Sequence, residues 1–303
     1  MQRTIKYRFF SVKRFRKNNE ARDEYLGDFK FIDWLLKIEK RKMENISLHD
    51  TMGRLEELKH IESESENLDV WVLRFMKLRD ENIPCKVKNH EAAQDLDLKD
   101  DEYLGEDQFM LYDINTGIAM IQMNRYSLGI KRLSEFIEKT GNMENEYVRF
   151  VPIIDINEKW RRGIINCRRI DIAFANLVRK VPKSKSPLSD IMNSYRKFHG
   201  ISGHIYISIG TNRKDCLDVT EVNNLIEDIA ECDEITGAKL TISDDDKSGV
   251  EVIDLFDNIE YVNIVFNVPK RKIIGFDYVA QTLSIYYGKK KAKLVQDLKK
   301  QKA

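Results

Sequence analysis

The sequence has little cysteine, proline or glycine, and it has no long apolar run. Its four cysteines lie far apart, with no CxxC pair and no histidine at a zinc-ligand spacing; they are Cys85, Cys167, Cys216 and Cys232. This pattern argues against a structural zinc site and gives no reason to expect disulfides. No window approaches eighteen uncharged apolar residues, and the amino terminus lacks the apolar run of a secretion signal. We therefore expect a cytoplasmic protein with no membrane partner.

Nucleotide-binding and nucleophile motifs are also missing. The chain contains no GxxxxGK, GxGxxG or HExxH pattern and no serine or cysteine elbow, so no cofactor is expected. The run HGISGH places His199 and His204 close together, but unsupported histidines of this kind are typical of an ordinary loop. These absences leave undecided whether the chain is an enzyme.

Charge is abundant, balanced and segregated along the chain. The sequence has 51 basic and 50 acidic residues, and 42% of its residues are hydrophobic, as in a soluble globular protein. The first eighteen residues and the tail from Lys289 to Lys302 are strongly basic. The run Glu91–Asp107 has eight carboxylates against the single Lys99. We interpret that run as a solvated loop, with three alternatives: it repels nucleic acid, covers a basic groove, or holds a divalent ion. Calcium binding of the EF-hand type is disfavoured, because Lys99 occupies a ligand position and no glycine stands at the turn.

Local patterns in the first half predict strands and two amphipathic helices. The run VWVLRFMKLR predicts a half-buried strand with a basic outer face that includes Arg74. In FMLYDINTGIAMIQMNRYS, Asn115 and Gly117 predict the turn of a β-hairpin. The helix FKFIDWLLKIEKRKM has an apolar face typical of a core helix. A second helix, IKRLSEFIEKTGN, is expected to begin after an N-cap at Ser127 and to stop at Gly141.

Short apolar runs alternate with helical patterns in the second half, from YVRFVPIID to VNIVFNV. This alternation predicts strands with helices on at least one face of a sheet. The fold class is therefore α+β, with a strand-rich N-terminal module and a C-terminal mixed sheet with helices. A polar run near 141–146 suggests two domains, 1–143 with the acidic loop and 144–303 with a basic surface and a basic tail.

The leading functional hypothesis is nucleic-acid binding by basic residues of the second half. Clusters of this kind bind phosphates because each neutralised phosphate releases counterions, and a nearby aromatic ring can stack on an unpaired base. The alternative for the same residues is a solvated charged face. The predicted binding residues are Arg161, Arg162, Arg168, Arg169, Arg179, Lys180, Lys183 and Lys185.

Two other function classes stay open. Metal-dependent cleavage of nucleic acid needs two or three carboxylates that converge on an ion, usually with a lysine near the attacking water. Asp155, Glu158 and Asp171 are the candidates for such a nuclease or for a toxin-like effector, although carboxylates at strand ends are also common for structural reasons. The other class is a protein-interaction subunit that docks through the apolar helix face around Trp34. No catalytic or metal-binding residue is assigned.

The sequence as a whole resembles an uncharacterised family of bacterial and prophage proteins of about this length. The resemblance rests on LYDINTGIAMIQMNRYSLG, WVLRFMKLRDENIP and CRRIDIAFAN. Members of that family resemble components of phage-defence and mobile islands, and the resemblance transfers no catalytic motif. The resemblance implies a context and no mechanism. Together with the basic residues, it leads us to expect a non-catalytic nucleic-acid-binding or nucleoprotein-associated component of bacterial anti-phage defence, with nucleic acid or a protein of the same defence system as partner. Self-association as a homodimer is left open.

Overall fold

The computed structural model describes residues 1–17, 24–64, 67–155, 166–175, 187–210, 215–231, 235–243, 250–255 and 259–302. These residues form two antiparallel sheets with helices packed against them, so the predicted α+β class is confirmed. The helices of the described residues are α1 (Phe31–Glu39), α2 (Gly129–Gly141), α3 (Pro187–Lys197), α4 (Val219–Glu231) and α5 (Phe276–Lys302).

The first sheet has nine strands, and its main path runs β13-β1-β7-β6-β5-β4-β3. Strands β2 and β8 lie off this path and pair with β1. The strands are β1 (Gln2–Arg16), β2 (Glu24–Asp28), β3 (Ile46–Ser47), β4 (Met52–Ser63), β5 (Leu68–Arg79), β6 (Leu104–Asp113), β7 (Ile118–Gln122), β8 (Glu146–Pro152) and β13 (Tyr261–Asn267).

Strand β1 organises this sheet because it is long enough to pair with four partners. Its first half pairs with β13, from Gln2 to Arg8, and its second half pairs with β8, from Phe10 to Arg16. Strand β7 pairs with its middle, and β2 pairs with its end. Strands β13 and β8 therefore meet near Phe9, although they lie far apart in the sequence.

Both faces of the first sheet are buried. Side chains alternate along a strand, so Phe10 and Val12 face one core with α1 and α2, while Tyr7 and Phe9 face another with α5. The apolar face of α1 lies in the first of these cores, where Trp34 also donates a hydrogen bond to Thr140 Oγ1 at 2.9 Å. The prediction of a core-facing helix is confirmed. The alternative prediction, that a partner docks on the apolar face around Trp34, is wrong because this face is buried in the core.

Burial of both faces also overturns the basic outer face predicted for β5. Arg74 is 8% exposed, and its guanidinium donates to Asp107 at 2.6 Å and to Glu57 at 2.7 Å. Alternation of apolar and polar residues indicates that one face of a strand is buried. It does not indicate whether a helix from a distant part of the chain covers the other face. Here α5, which lies some 200 residues later, packs on that side.

The β6–β7 hairpin forms as predicted, with Asn115 and Gly117 in its turn. Asp113 closes the turn by accepting hydrogen bonds from the backbone N–H of Asn115 at 2.8 Å and of Thr116 at 3.3 Å. The ends of α2 differ from expectation. The N-cap residue is Leu128 and not the predicted Ser127. The Ser127 hydroxyl donates to the Asn124 carbonyl and does not cap the helix.

At the other end of α2, Gly141 is still helical. Asn142 takes the left-handed conformation, with φ of 52°. Asparagine tolerates this conformation better than most residues, and it therefore ends the helix one residue later than the glycine signal indicated.

The second sheet has four strands in the order β10-β9-β11-β12, and all of its described pairings are antiparallel. They are β9 (Cys167–Phe174), β10 (Gly203–Ser208), β11 (Ile235–Ser243) and β12 (Val250–Asp254). Helices α3 and α4 cover one face, where Met192 and Ile226 pack against Ile170 and Leu240.

The second sheet is inserted into the first. Strand β8 and the following Ile154 lead out of the first sheet, and the chain returns at Ile259, which forms an antiparallel bridge with Ile154. Strand β13 then rejoins β1, and α5 packs on the first sheet. The predicted division at 143/144 stays a prediction, whereas the hydrogen bonds group β8, β13 and α5 with the first sheet.

Candidate functional site

Among the described residues, no helix covers one of the two faces of the second sheet. Its buried residues, such as Ile170, Ile172 and Ile205, point toward α3 and α4, so the residues between them point the other way. We call this face of the second sheet, opposite α3 and α4, the open face. Its residues are half-buried or exposed; they are Arg169, Asp171 and Ala173 on β9, His204, Tyr206 and Ser208 on β10, Gly237, Lys239 and Thr241 on β11, and Val252 and Asp254 on β12.

Tyr206 is the main exposed aromatic residue of the open face, with 58% of its surface accessible. The Arg169 guanidinium lies 4.0 Å from the centre of its ring. Arg169 also pairs with Asp171, with Nε 2.8 Å from Oδ2 and an Nη 2.9 Å from Oδ1. The hydrogen bond to Asp171 raises the pKa of Arg169. The ion pair thus holds a planar cation next to an exposed ring.

Cross-strand register places further charges beside this pair. Asp171 lies opposite Tyr206 on one side and opposite Lys239 on the other, and Lys239 lies opposite Asp254. The formal charges of Arg169, Asp171, Lys239 and Asp254 sum to zero. The open face is therefore suited to stacking and hydrogen bonding rather than to attraction of phosphates by net charge.

Two of the eight predicted binding residues lie in the described chain, and both are on β9. Arg169 is on the open face, and Arg168 lies where the register between β9 and β11 shifts by one residue. The other six lie outside the described residues, as does Glu158; they are Arg161, Arg162, Arg179, Lys180, Lys183 and Lys185. In the sequence these six flank β9 on both sides.

A second group of charged residues lies where the chain leaves and rejoins the first sheet. One carboxylate oxygen from each of Asp155, Glu260 and Asp297 lies within 4.8 Å of the others. Lys293 of α5 donates to Asp155 at 3.0 Å and also to Glu260, while Lys290 donates to Glu260 at 2.8 Å. We call these three carboxylates and Lys293 the acid–lysine cluster.

Backbone pairing at the sheet edge and helical spacing on α5 build this cluster. Glu260 N–H donates to the Ile153 carbonyl at 2.8 Å, which brings Glu260 next to the segment that carries Asp155. Lys293 and Asp297 lie four residues apart on α5, so they share one face of the helix. Glu260 and Asp297 are buried, whereas Asp155 and Lys293 are partly exposed.

Burial and charge act against each other in the acid–lysine cluster. Burial raises the pKa of Asp297, against the opposing effect of Lys293. Burial disfavours the charged form of Lys293, but its hydrogen bonds to Glu260 and Asp155 outweigh this effect and raise its pKa. Lys293 therefore stays an ammonium ion between two carboxylates.

Of the three carboxylates predicted for metal-dependent cleavage, the two in the described chain lie in different places. Asp155 belongs to the acid–lysine cluster, whereas Asp171 lies on the open face in its ion pair with Arg169. Among the histidines, His199 lies in the turn after α3 with φ of 56°, and His204 is an exposed residue of the open face.

Sequence reasoning missed several members of both groups. In the sequence Tyr206 belongs to a short apolar run, and no motif includes Glu260, Lys293 or Asp297. The alternation of GHIYISIG could have indicated that Tyr206 faces away from the core. No local signal joins Asp155, Glu260 and Asp297, because they come from three separate segments.

Comparison with known proteins adds a family but no function. The model of a family described as a family of unknown function (DUF6731) matches residues 1–302. No curated protein matches the chain. Among the described helices, none is long and apolar enough to cross a membrane.

Proposed function

This chain belongs to DUF6731, a family of unknown function, and we propose that it binds single-stranded nucleic acid through the open face of the second sheet. The observation that carries the proposal is the exposed Tyr206 ring beside the Arg169 guanidinium. Unpaired bases stack on aromatic rings and on guanidinium planes, and such stacking contributes about 1–3 kcal/mol per base. A base in a duplex is already stacked and paired, so this surface favours single strands.

Phosphate contacts come from the basic residues that flank β9 in the sequence. The open face has no net charge, whereas the six flanking arginines and lysines carry six positive charges. We assign base stacking to Tyr206 and Arg169, and phosphate contacts to Arg161, Arg162, Arg179, Lys180, Lys183 and Lys185. The two contributions differ in salt dependence, because only phosphate neutralisation releases counterions.

The first test measures the fluorescence anisotropy of labelled single-stranded DNA, RNA and duplex DNA during titration with the protein. We expect Tyr206→Ala to weaken single-strand binding roughly 5- to 150-fold, as loss of one stacked base implies. Tyr206→Phe keeps the ring and should bind nearly as the parent does. The control is Tyr261→Ala, which removes a partly exposed tyrosine of the first sheet whose ring also carries a cation, Lys6 Nζ at 4.2 Å.

Salt dependence separates the two parts of the surface. Reversing Arg161, Arg162, Arg179 and Lys180 to glutamate should weaken binding and lower the slope of log affinity against log salt. Tyr206→Ala should lower affinity while leaving that slope unchanged. Equal binding by the parent, Tyr206→Ala and the charge-reversed protein would remove the proposal.

The same samples test the metal-dependent nuclease that the sequence left open. Strands recovered after incubation with and without Mg²⁺ are separated on a gel. Intact strands support a binding protein, whereas shortened strands that require Mg²⁺ support the nuclease.

We further propose that this binding serves defence against phage, in the cytoplasm of a bacterium. The support is the family resemblance read from the sequence. The test compares plaque formation on bacteria that express the parent protein or Tyr206→Ala. Defence that depends on Tyr206 would link the surface to the role, and equal plaque counts with and without the protein would refute the role.

A further inference from the structure

The acid–lysine cluster contains a buried oxygen that no protein group satisfies. Asp297 is 1% exposed, and its Oδ2 has no hydrogen-bond partner among the described residues. Its other oxygen, Oδ1, lies 3.5 Å from Lys300 Nζ. An unsatisfied buried carboxylate oxygen is costly, and a bound ion or water is the usual way in which such an atom is satisfied.

The spacing of the carboxylates matches the requirement of a single cation. Two oxygen ligands on opposite sides of an ion, with bonds of 2.3–2.6 Å, lie roughly 4.6–5.2 Å apart, and neighbouring ligands lie closer. One oxygen from each of Asp155, Glu260 and Asp297 lies within 4.8 Å of the others. The ligand set consists of oxygen alone, which suits hard cations such as Mg²⁺, Ca²⁺ and Mn²⁺.

Three lysines already contact these carboxylates: Lys290 pairs with Glu260, Lys300 pairs with Asp297, and Lys293 pairs with two of them. The Lys293 ammonium contacts both Asp155 and Glu260, and its side chain is 49% exposed. A long, partly exposed lysine side chain can move its charge into water at little cost. A divalent ion brings more charge to the three carboxylates than one ammonium does, and it can also bond to the unsatisfied oxygen of Asp297.

We infer that Asp155, Glu260 and Asp297 form a binding site for a hard divalent cation, in which the metal ion and the Lys293 ammonium compete for the same carboxylates. The site joins three segments: the end of the chain leaving β8, the start of β13, and α5. A bound ion would therefore link the segment in which the chain leaves the first sheet to the segment in which it returns. The inference is independent of nucleic-acid binding by the open face.

The experiment uses Mn²⁺ alone as the probe, because electron paramagnetic resonance measures free Mn²⁺ directly. The parent protein should bind one Mn²⁺ per chain at this site, and Asp297→Asn should weaken that binding. Lys293→Met removes the competing charge, so it should bind Mn²⁺ about tenfold more tightly than the parent does.

Thermal unfolding provides the second readout. In chelator, Lys293→Met leaves the carboxylates without their ammonium and should unfold at a lower temperature than the parent. Millimolar Mn²⁺ or Ca²⁺ should restore about 4 °C or more, whereas sodium chloride of equal ionic strength should not. The matched control is Lys291→Met, which breaks a lysine–carboxylate pair of α5 at 2.9 Å that involves Asp113. It should also lower the unfolding temperature, but without recovery in Mn²⁺.

Three results would overturn the inference: no Mn²⁺ bound to either the parent or Lys293→Met, equal binding by Asp297→Asn and the parent, or equal recovery of Lys291→Met by Mn²⁺. If Lys293→Met does not fold, the comparison of the parent with Asp297→Asn decides alone. Binding that is lost in Asp297→Asn then supports the site, and binding that persists there removes it.

Discussion

Glu138 of α2 shows how strongly one position can make the stability of this protein depend on pH. Its side chain is 22% exposed. Burial raises its pKa to about 7, while Lys17 and a hydrogen bond from Ser134 oppose the shift. Ser134 Oγ lies 3.3 Å from Glu138 Oε1, and Lys17 Nζ lies 3.8 Å from Oε2. These partners are too distant or too weak to offset the loss of water around the carboxylate.

The sign of the pH effect follows from that raised value. The folded state holds the Glu138 proton more tightly than the unfolded state does, so folding is favoured fully below about pH 4.5. This contribution is lost as the pH rises through about 7, and it amounts to roughly 3 kcal/mol. Glu138→Gln should remove it, so the stability of this variant relative to the parent should rise between pH 5 and pH 8. Urea unfolding at both pH values measures the difference.

Glu135→Gln is the matched control for this prediction, because Glu135 lies one turn earlier on α2 and pairs with Arg132 at 3.0 Å. It should produce a smaller change with pH, because Glu135 raises the pKa of Glu138 less than burial does. Parallel pH profiles for the parent and Glu138→Gln would contradict the prediction.

Among the secondary-structure elements, α5 depends on a buried polar contact as well as on its apolar face. Asp113 is fully buried. Its Oδ2 accepts a hydrogen bond from the Tyr287 hydroxyl at 2.7 Å and forms an ion pair with Lys291 Nζ at 2.9 Å. The Thr116 hydroxyl lies 3.0 Å from the same tyrosine oxygen. Burial, and next Asp113, raise the pKa of Tyr287, which therefore stays a hydrogen-bond donor. These contacts anchor α5 to the turn of the β6–β7 hairpin.

Substitution of Tyr287 and substitution of Asp113 should lower the free energy of unfolding by different amounts. Tyr287→Phe loses one hydrogen bond to a charged acceptor and should lower the free energy of unfolding by about 1.5–3 kcal/mol. Asp113→Ala leaves Lys291 without its carboxylate and the turn without its acceptor, so the cost should be about 3–5 kcal/mol. Urea unfolding measures both, with Tyr286→Phe as the control on the neighbouring residue. Equal stability of all three variants would show that the contact does not stabilise α5.

At the scale of the whole molecule, the second sheet has a core of its own. Apart from Ile154, the buried residues of that core lie between Cys167 and Leu255. The two chain crossings are adjacent, because Ile154 bridges Ile259 and Glu260 N–H bonds to Ile153. An insertion with adjacent ends and a separate core can often be removed without breaking the host.

Replacing residues 156–258 by a loop of about four glycines and serines should therefore leave the first sheet folded. The shortened chain should unfold cooperatively, keep the near-ultraviolet signal of its buried aromatics, and lose binding to single strands. Circular dichroism and urea unfolding test the first two points, and anisotropy tests the third. A control deletion within β5 removes a central strand and should abolish folding. Loss of cooperative unfolding on removal of the insertion would show that the two cores depend on each other.

Much of the secondary structure was predictable because its signals are local. Hydrophobic spacing predicted α1, α2 and the strands from β8 to β13, and the residues around Asn115 predicted the hairpin turn. The helix α5 was not predicted, since its second half looks like a solvated basic tail. In the structure Lys290, Lys291 and Lys293 meet buried or partly buried acids, and a run of lysines does not reveal its partners.

The sequence by itself determined the fold class, most elements and the type of residue available for binding, because periodicity, turn chemistry and charge are properties of neighbouring residues. Only the tertiary structure decided that Arg74 is buried between Glu57 and Asp107, that Tyr206 and Arg169 share a face that no described helix covers, and that Asp155, Glu260 and Asp297 converge. These outcomes depend on strand order and on the return of the chain at Ile259. Contacts between distant segments arise from the packing of the whole chain, which no local pattern records.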